Sequence, residues 1–236
     1  ARSDATDKLR QADTELAEAM LDLEIMVSTS PWRIGLSQAA LAKSLADDQA
    51  DVSGTDWFRA IEAVAQAKGE EAMRNARWYE ALRAWRGLSE IDKDNDEYEQ
   101  QLKTAHRHVR ILALYGSEDG ALGEDASWQD YLENVDINMA KKVISDVSSY
   151  YVEEVDHKKL AIAGLHALEV LAETPQVVDT FPELASPEKK QAFLDAMRRE
   201  KETIQSETYV DRISVWMALH HAVAASDRTI KVPGNV

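Results

Sequence analysis

A Ser-x-x-Lys sequence is the first arrangement with catalytic potential. Ser186 and Lys189 have the spacing at which penicillin-recognising enzymes place a nucleophilic serine and its lysine. Those enzymes also need Ser/Asn and Lys-Thr-Gly elements that activate the hydroxyl, and the sequence contains neither. Pro187 and Glu188 are typical of the first turn of a helix, where an acid lies near the positive end of the helix dipole. We therefore predict that Ser186 is a helix N-cap.

An acidic run has the spacing that opens an EF-hand calcium loop. Asp92, Asp94 and Asp96 match its first ligands. Glu97, however, stands where the sharp turn needs Gly, and Lys103 stands where a bidentate Glu closes the calcium shell. The acids are therefore predicted to form a turn between helices, and no calcium site is expected.

The six histidines offer no complete set of metal ligands. Glu154 and His157 form a single Glu-x-x-His, whereas di-iron bundles need two such pairs and further Glu on facing helices. The other pairs point to different faces of a helix: His106 with His108, and His220 with His221. We therefore predict that the histidines are structural and partly buried. No catalytic residue, metal or cofactor is expected.

Composition limits the partners of the chain. Its 43 acidic and 27 basic residues give a formal net charge of −16, which repels phosphate backbones and anionic membrane surfaces. We therefore predict that nucleic acid is not a partner. No apolar run approaches the roughly 20 residues needed to cross a bilayer, so no membrane insertion is expected. The absence of Cys excludes disulfides and thiolate chemistry. It suits an exported, periplasmic location and is equally compatible with the cytoplasm.

The turn residues predict an all-α fold. Only 9 Gly and 5 Pro occur in 236 residues, too few for the frequent turns of a sheet-rich fold. Apolar residues recur at helical spacing through most of the chain. About ten helices are expected in two packed bundles: 4–27, 36–46, 56–75, 77–91, 95–114, 128–134, 137–152, 157–171, one from 186, and 207–225.

Glycines and the chain ends suggest boundaries. Three of the nine glycines fall in residues 116–125, which predicts two helical regions, 1–115 and 126–236. Residues 229–232 alternate like a strand that has no partner, so we expect the C-terminus to be cut from something longer. The start at Ala1 lacks Met and a signal-like apolar region, which indicates a processing site or an artificial boundary.

Residues 62–95 resemble one 34-residue tetratricopeptide (TPR) unit. Gly69, Trp78, Ala81 and Trp85 fall where that unit places its small and aromatic residues. The small residues are expected to let two antiparallel helices approach, and the tryptophans to fill the groove between them. Ala72 stands where the family usually has an aromatic residue. No second clean unit is found, so the predicted fold is a helical bundle or short α-solenoid.

Residues 138–168 resemble the helical segment that precedes the PDZ and catalytic domains of tail-specific (carboxy-terminal processing) proteases. The likeness lies in Tyr151-Val-Glu-Glu-Val-Asp156, a turn that ends a helix, and in Ala161 and Gly164 on the next helix. The family continues with Leu-Asp-Pro, and this chain does not. The resemblance implies that Gly164 serves helix packing. The family's Ser-Lys dyad lies on a later domain, so no catalytic residue transfers to this chain.

Together these patterns predict a non-catalytic helical region of a tail-specific serine protease. It would bind or position protein substrates or partners, or mediate assembly, and the parent would be a serine endopeptidase. The residues predicted to matter for structure or interaction are Gly69, Trp78, Ala81, Trp85, Tyr151, Asp156 and Gly164. The alternative is a free-standing TPR-like adaptor without protease activity.

Overall fold

The computed structural model of this chain describes residues 31–45, 52–116, 129, 133, 135–150 and 155–234. Within these residues every regular element is helical, with eight α-helices, two short 3-10 helices and no strand. The predicted all-α class is therefore confirmed. About ten helices are predicted from sequence, and two of them, 4–27 and 128–134, lie wholly or largely outside the described residues.

The chain divides into two compact units between His106 and Arg107. The helices are, in order, α1 (Pro31–Leu45), α2 (Asp56–Arg74), α3 (Trp78–Ile91), α4 (Asp96–Tyr115), α5 (Ile137–Tyr150), α6 (His157–Glu173), α7 (Pro187–Ser206) and α8 (Arg212–Arg228). Two 3-10 helices, Pro175–Val178 and Pro182–Ala185, connect α6 to α7. The division falls within α4, while the segment predicted to separate the domains lies, apart from Gly116, outside the described residues.

Two helix starts differ from the sequence-based prediction. Helix α1 begins at Pro31 rather than near residue 36, because proline is well suited to the first helical position, where its missing N–H is not needed. Helix α8 begins at Arg212 rather than near residue 207. Its N-cap, Asp211, accepts hydrogen bonds from the backbone N–H groups of Ile213 and Ser214, which fixes the start there.

Helices α1, α2 and α3 pack together through a cyclic set of glycine contacts. A Cβ added at Gly35 of α1 would lie 3.2 Å from Ile61 of α2. One added at Gly69 of α2 would lie 2.8 Å from Trp85 of α3. One at Gly87 of α3 would lie 2.7 Å from the end of the Leu36 side chain on α1. Each helix therefore supplies one glycine and one large apolar side chain to the core of the first unit.

The turn between α2 and α3 is a Schellman motif. The Arg77 N–H donates to the Ala72 carbonyl at 2.8 Å, and the Ala76 N–H donates to the Met73 carbonyl at 3.1 Å. Ala76 has φ of 54°, in the left-handed region that this motif requires and that glycine usually occupies. The three residues 75–77 thus reverse the chain and place α3 against α2.

In the second unit α6, α7 and α8 pack on one another, and α5 packs on α8. Its helices begin at side-chain caps: the Asp156 carboxylate and the Ser186 hydroxyl accept from backbone N–H groups of α6 and α7. The predicted N-cap role of Ser186 is therefore confirmed. Among the most deeply buried side chains of this unit are Leu165, Val177, Phe193, Met197, Val215 and Ile230.

The strand predicted at residues 229–232 is absent, and that prediction is wrong. The segment instead folds back along α8: the Lys231 N–H donates to the Ser226 carbonyl at 2.7 Å, and the Ser226 hydroxyl donates to the Val232 carbonyl at 3.0 Å. Ile230 and Val232 are only 1 % and 5 % exposed. Burial of these apolar side chains against helices, with backbone groups satisfied by Ser226, replaces the pairing that a strand would need.

Candidate functional site

Of the TPR-like residues, Gly69 and Trp85 form a buried contact between α2 and α3. Trp85 is 1 % exposed, lies against Gly69, and donates its indole N–H to the Met73 sulfur at 3.1 Å. Ala81 is fully buried and Trp78 is nearly so. The structure therefore places Gly69, Trp78, Ala81 and Trp85 in the core of the first unit, where they shape the fold and are not accessible to a partner.

A tyrosine and a carboxylate complete this core at the start of α4. The Tyr98 ring lies 6.0 Å from the Trp85 ring, and its hydroxyl donates to the Glu62 carboxylate of α2 at 2.9 Å. Burial, together with this hydrogen bond, raises the pKa of Tyr98. The phenol stays protonated and ties α4 to α2.

The residues of the second resemblance have local structural roles where they are described. Tyr151 lies outside the described residues. The Asp156 carboxylate caps α6 by accepting from the Lys159 N–H at 3.0 Å, and this hydrogen bond holds the pKa of Asp156 below its ordinary value. A Cβ added at Gly164 would lie 3.4 Å from Leu219 of α8, an ordinary contact. The position therefore has room for the Cβ of an alanine.

Ser186 and Lys189 do not form a catalytic pair. The Ser186 hydroxyl accepts from the backbone N–H of Lys189 at 3.4 Å, as an N-cap does. The Lys189 ammonium instead forms an ion pair with the Glu183 carboxylate, and this pairing lowers the pKa of Glu183. The Lys189 side chain is thus directed to Glu183, and no hydrogen bond joins its ammonium group to the Ser186 hydroxyl in the described residues.

The acidic run at 92–96 serves a helix cap. The Asn95 side-chain oxygen accepts from the backbone N–H groups of Glu97 and Tyr98, at 3.1 and 3.2 Å, and the Asp92 carboxylate accepts from the Asn95 amide at 3.3 Å. Across the described residues no group of three or more His, Asp or Glu is placed to hold a metal ion.

One histidine is buried in the second unit in a defined protonation state. The Thr174 hydroxyl donates to the Val170 carbonyl at 2.6 Å, so it must accept from the His108 Nδ1–H, 2.7 Å away. His108 is 5 % exposed, and burial lowers its pKa to about 4. The ring is therefore neutral at pH 7 and joins the second half of α4 to the end of α6. His106, His220 and His221 are exposed, so the predicted partial burial is wrong for them.

A polar chain that sequence reasoning missed links α4, α6 and α7. The Arg107 guanidinium donates to His166 Nε2 at 2.9 Å, and His166 Nδ1 lies 3.2 Å from the Glu169 carboxylate. The Lys201 ammonium donates to the same carboxylate at 2.5 Å. A histidine beside a carboxylate can act as a base, but here the nitrogen that would take the proton accepts from a permanent cation. This series of hydrogen bonds therefore has a structural role.

A shallow groove of about 250 Å³ lies between α7 and α8. Its lining has an apolar part and a charged part: Ala196, Met197 and Ala225, with Arg199, Glu200, His221 and Arg228. His221 Nδ1 lies 3.0 Å from the Glu200 carboxylate, which accepts from the ring N–H. No sequence motif marks this groove, because its two walls come from separate helices.

An apolar row precedes the groove on α8. Ile213 and Met217 lie one turn apart on the same face of the helix and are 62 % and 43 % exposed. Tyr209, in the segment that leads into α8, is 79 % exposed. His221, one further turn along this face, belongs to the groove. The apolar row (Tyr209, Ile213 and Met217) and the groove thus follow each other along α8.

Neither a protein-family model nor a curated protein nor a solved structure matches this chain. The resemblances to a TPR unit and to tail-specific proteases therefore stay predictions, carried by the residues quoted for them. Among the described helices, none is long and apolar enough to cross a membrane.

Proposed function

We propose that this chain is a non-catalytic helical module that binds a protein partner or substrate through the apolar row at the start of α8 and in the segment before it. In the more specific form of the proposal, it is the helical region of a tail-specific serine protease and positions that enzyme's substrates or mediates its assembly. The observation that carries the proposal is the exposure of Tyr209, Ile213 and Met217 at the start of one well-capped helix.

Exposed large apolar side chains that adjoin each other favour a protein contact. Burying an Ile or Met side chain on binding contributes about 1.5–3 kcal/mol. The Asp211 cap fixes the first turn of α8, so Ile213 and Met217 are presented without an ordering cost for the helix. An unfolded segment of a client protein offers the apolar side chains that would cover them.

The test measures binding of a permanently unfolded protein. Fluorescently labelled, reduced and carboxymethylated α-lactalbumin is titrated with the chain, and anisotropy is followed. The double variant Ile213→Ser, Met217→Ser should weaken binding at least tenfold. A tenfold change in the dissociation constant corresponds to about 1.4 kcal/mol, which is less than the contribution expected from the two side chains. Val64→Ser is the matched control, since Val64 is 49 % exposed on α2 in the other unit. Equal binding by all three proteins, or no binding by any, contradicts the proposal.

The protease origin is tested separately by reading the coding sequence that follows residue 236 in the native gene. A PDZ region and a Ser-Lys catalytic region downstream of residue 236 would support it. A stop codon at that point would favour the alternative.

That alternative is a free-standing TPR-like adaptor. It is favoured by the close approach of α2 and α3 at Gly69 and Trp85, which is the packing expected of a TPR helix pair. In such an adaptor the partner would bind to the first unit. The Val64→Ser variant, rather than the double variant on α8, would then weaken the binding of the partner.

A further inference from the structure

The charges in the groove between α7 and α8 are unusual for so acidic a chain. Among the described residues, no carboxylate forms an ion pair with Arg199 or Arg228, although acids outnumber bases by 43 to 27 in the sequence. Glu200 is the one carboxylate among the lining residues, and it is engaged by His221 at 3.0 Å. Two arginines therefore face a single carboxylate in the lining of the groove.

A neighbouring arginine shows what an ordinary surface position looks like in this chain. Arg198, which does not line the groove, donates to the Asp195 carboxylate at 2.9 Å, one turn away on α7. Arg199 is the next residue and has no such partner in the described part of the chain. Arg199 of α7 and Arg228 of α8 thus line one concavity without a carboxylate partner in the described part of the chain.

Arg228 is held in a geometry suited to recognition. Its Nε donates to the Ala224 carbonyl at 2.8 Å, which fixes the side chain along α8. The terminal nitrogens of a guanidinium remain as donors when Nε is used in this way. Two N–H groups of one guanidinium match the two oxygens of a carboxylate. Because part of the side chain is already fixed, less conformational entropy is lost on binding.

The apolar lining of the groove adds a second requirement. Ala196, Met197 and Ala225 all line the groove, whose volume is about 250 Å³, and Met197 is 1 % exposed. A bound ligand therefore meets apolar surface on one side and guanidinium groups on the other. An inorganic anion would pair with the guanidinium groups but would leave the apolar surface uncovered.

We infer that the groove between α7 and α8 binds a carboxylate attached to a small apolar body, with Arg199 and Arg228 as its cationic partners. This chemistry has two sources, a free organic acid or the acidic side chains of a protein. The inference does not depend on the proposed function, because it rests on different residues of α8.

The test uses ¹⁵N-labelled full chain and two probes, benzoate as a free carboxylate and a short Glu-Ala repeat peptide. Chemical-shift changes are followed at residues 196–200 and 221–228 by NMR. Arg199→Gln and Arg228→Gln should each weaken binding at least tenfold. Arg212→Gln, which makes the same charge change on α8 outside the groove, should leave it within twofold.

Each outcome has a defined meaning. Saturable benzoate binding that both groove variants weaken supports a small-molecule site. Binding of the peptide alone, with the same variant pattern, supports acidic side chains of a partner. No shift at the groove with either probe, or binding that Arg212→Gln weakens as much as the groove variants do, overturns the inference. The Ile213→Ser, Met217→Ser protein should bind benzoate normally, so failure of the proposed function is scored independently.

Discussion

A side-chain carbon at position 69 would lie 2.8 Å from Cε2 of Trp85, closer than two carbon atoms pack. Gly69 is thus matched to the indole ring across the α2–α3 contact. Trp85 has little freedom to move away, because it also contacts Tyr98 and donates its N–H to Met73. This relationship supports a direct comparison between two helical glycines.

We expect Gly69→Ala to destabilise the first unit by about 1–2 kcal/mol, because overpacking costs about 1–3 kcal/mol and the better helix propensity of alanine returns up to about 1. Gly164→Ala on α6 is the matched control. Its Cβ would meet Leu219 at an ordinary 3.4 Å, so we expect a gain of about 0.5–1 kcal/mol. Urea unfolding of the two variants measures both. Equal effects of the two substitutions would contradict the packing described at Gly69.

Replacement of Trp85 by alanine should be among the most damaging single changes in the first unit. The side chain is 1 % exposed, and aromatic-to-alanine changes in a core cost about 3–5 kcal/mol. Tyr79→Ala on the same helix is the control, since Tyr79 is 39 % exposed and should cost less than about 1 kcal/mol. Chemical unfolding followed by circular dichroism distinguishes the two. A small loss for Trp85→Ala would show that the ring is not a core residue.

Ala76→Gly should stabilise the chain although it removes a methyl group. A left-handed φ of 54° costs an L-residue about 1–2 kcal/mol, and glycine adopts it freely. The added freedom of glycine in the unfolded chain offsets about 0.4–1 kcal/mol of that gain. A net gain of about 0.5–1 kcal/mol in the free energy of unfolding is expected. A loss on substitution would mean that the turn at 75–77 has a different backbone conformation.

Acidification should weaken the second unit through His108. Its pKa is lowered by burial from the ordinary 6.5 to about 4, so only the unfolded chain binds a proton between these values. The contribution of His108 is complete above about pH 6.5 and falls by about 3 kcal/mol as the pH drops to about 4.

The measurement for this prediction is the pH dependence of unfolding with a His108→Gln comparison. The variant keeps a polar group toward Thr174 and cannot titrate, so its stability should fall less steeply over the same range. Parallel curves for the two proteins would show that folding does not change the protonation of His108 over this pH range.

Local signals predicted the helices and several of their ends. The Ser186-Pro187-Glu188 sequence specified the start of α7, because an N-cap and its first turn are set by adjacent residues. The contact between Gly69 and Trp85 was also open to prediction, since the two residues lie on consecutive helices that a short turn joins. Contacts between neighbours in sequence leave a readable pattern.

Contacts between distant residues left no such pattern. His108 and Thr174 are 66 residues apart, and neither residue type predicts a contact with the other. The groove takes its arginines from two helices, so no motif contains both. In the segment at 229–232 the local pattern predicts the wrong conformation. Its β-branched residues favour a strand, but burial against α8 decides its conformation.

The cyclic glycine contacts of α1, α2 and α3 have an evolutionary consequence. Since each helix gives one glycine and one large side chain to a neighbour, a substitution at a glycine requires the facing residue either to move or to change with it. Leu36 can rotate away from position 87, whereas Trp85 is fixed, so positions 69 and 85 should be the most tightly coupled pair. Positions 69 and 85 should therefore covary among related sequences, although they lie on two different helices.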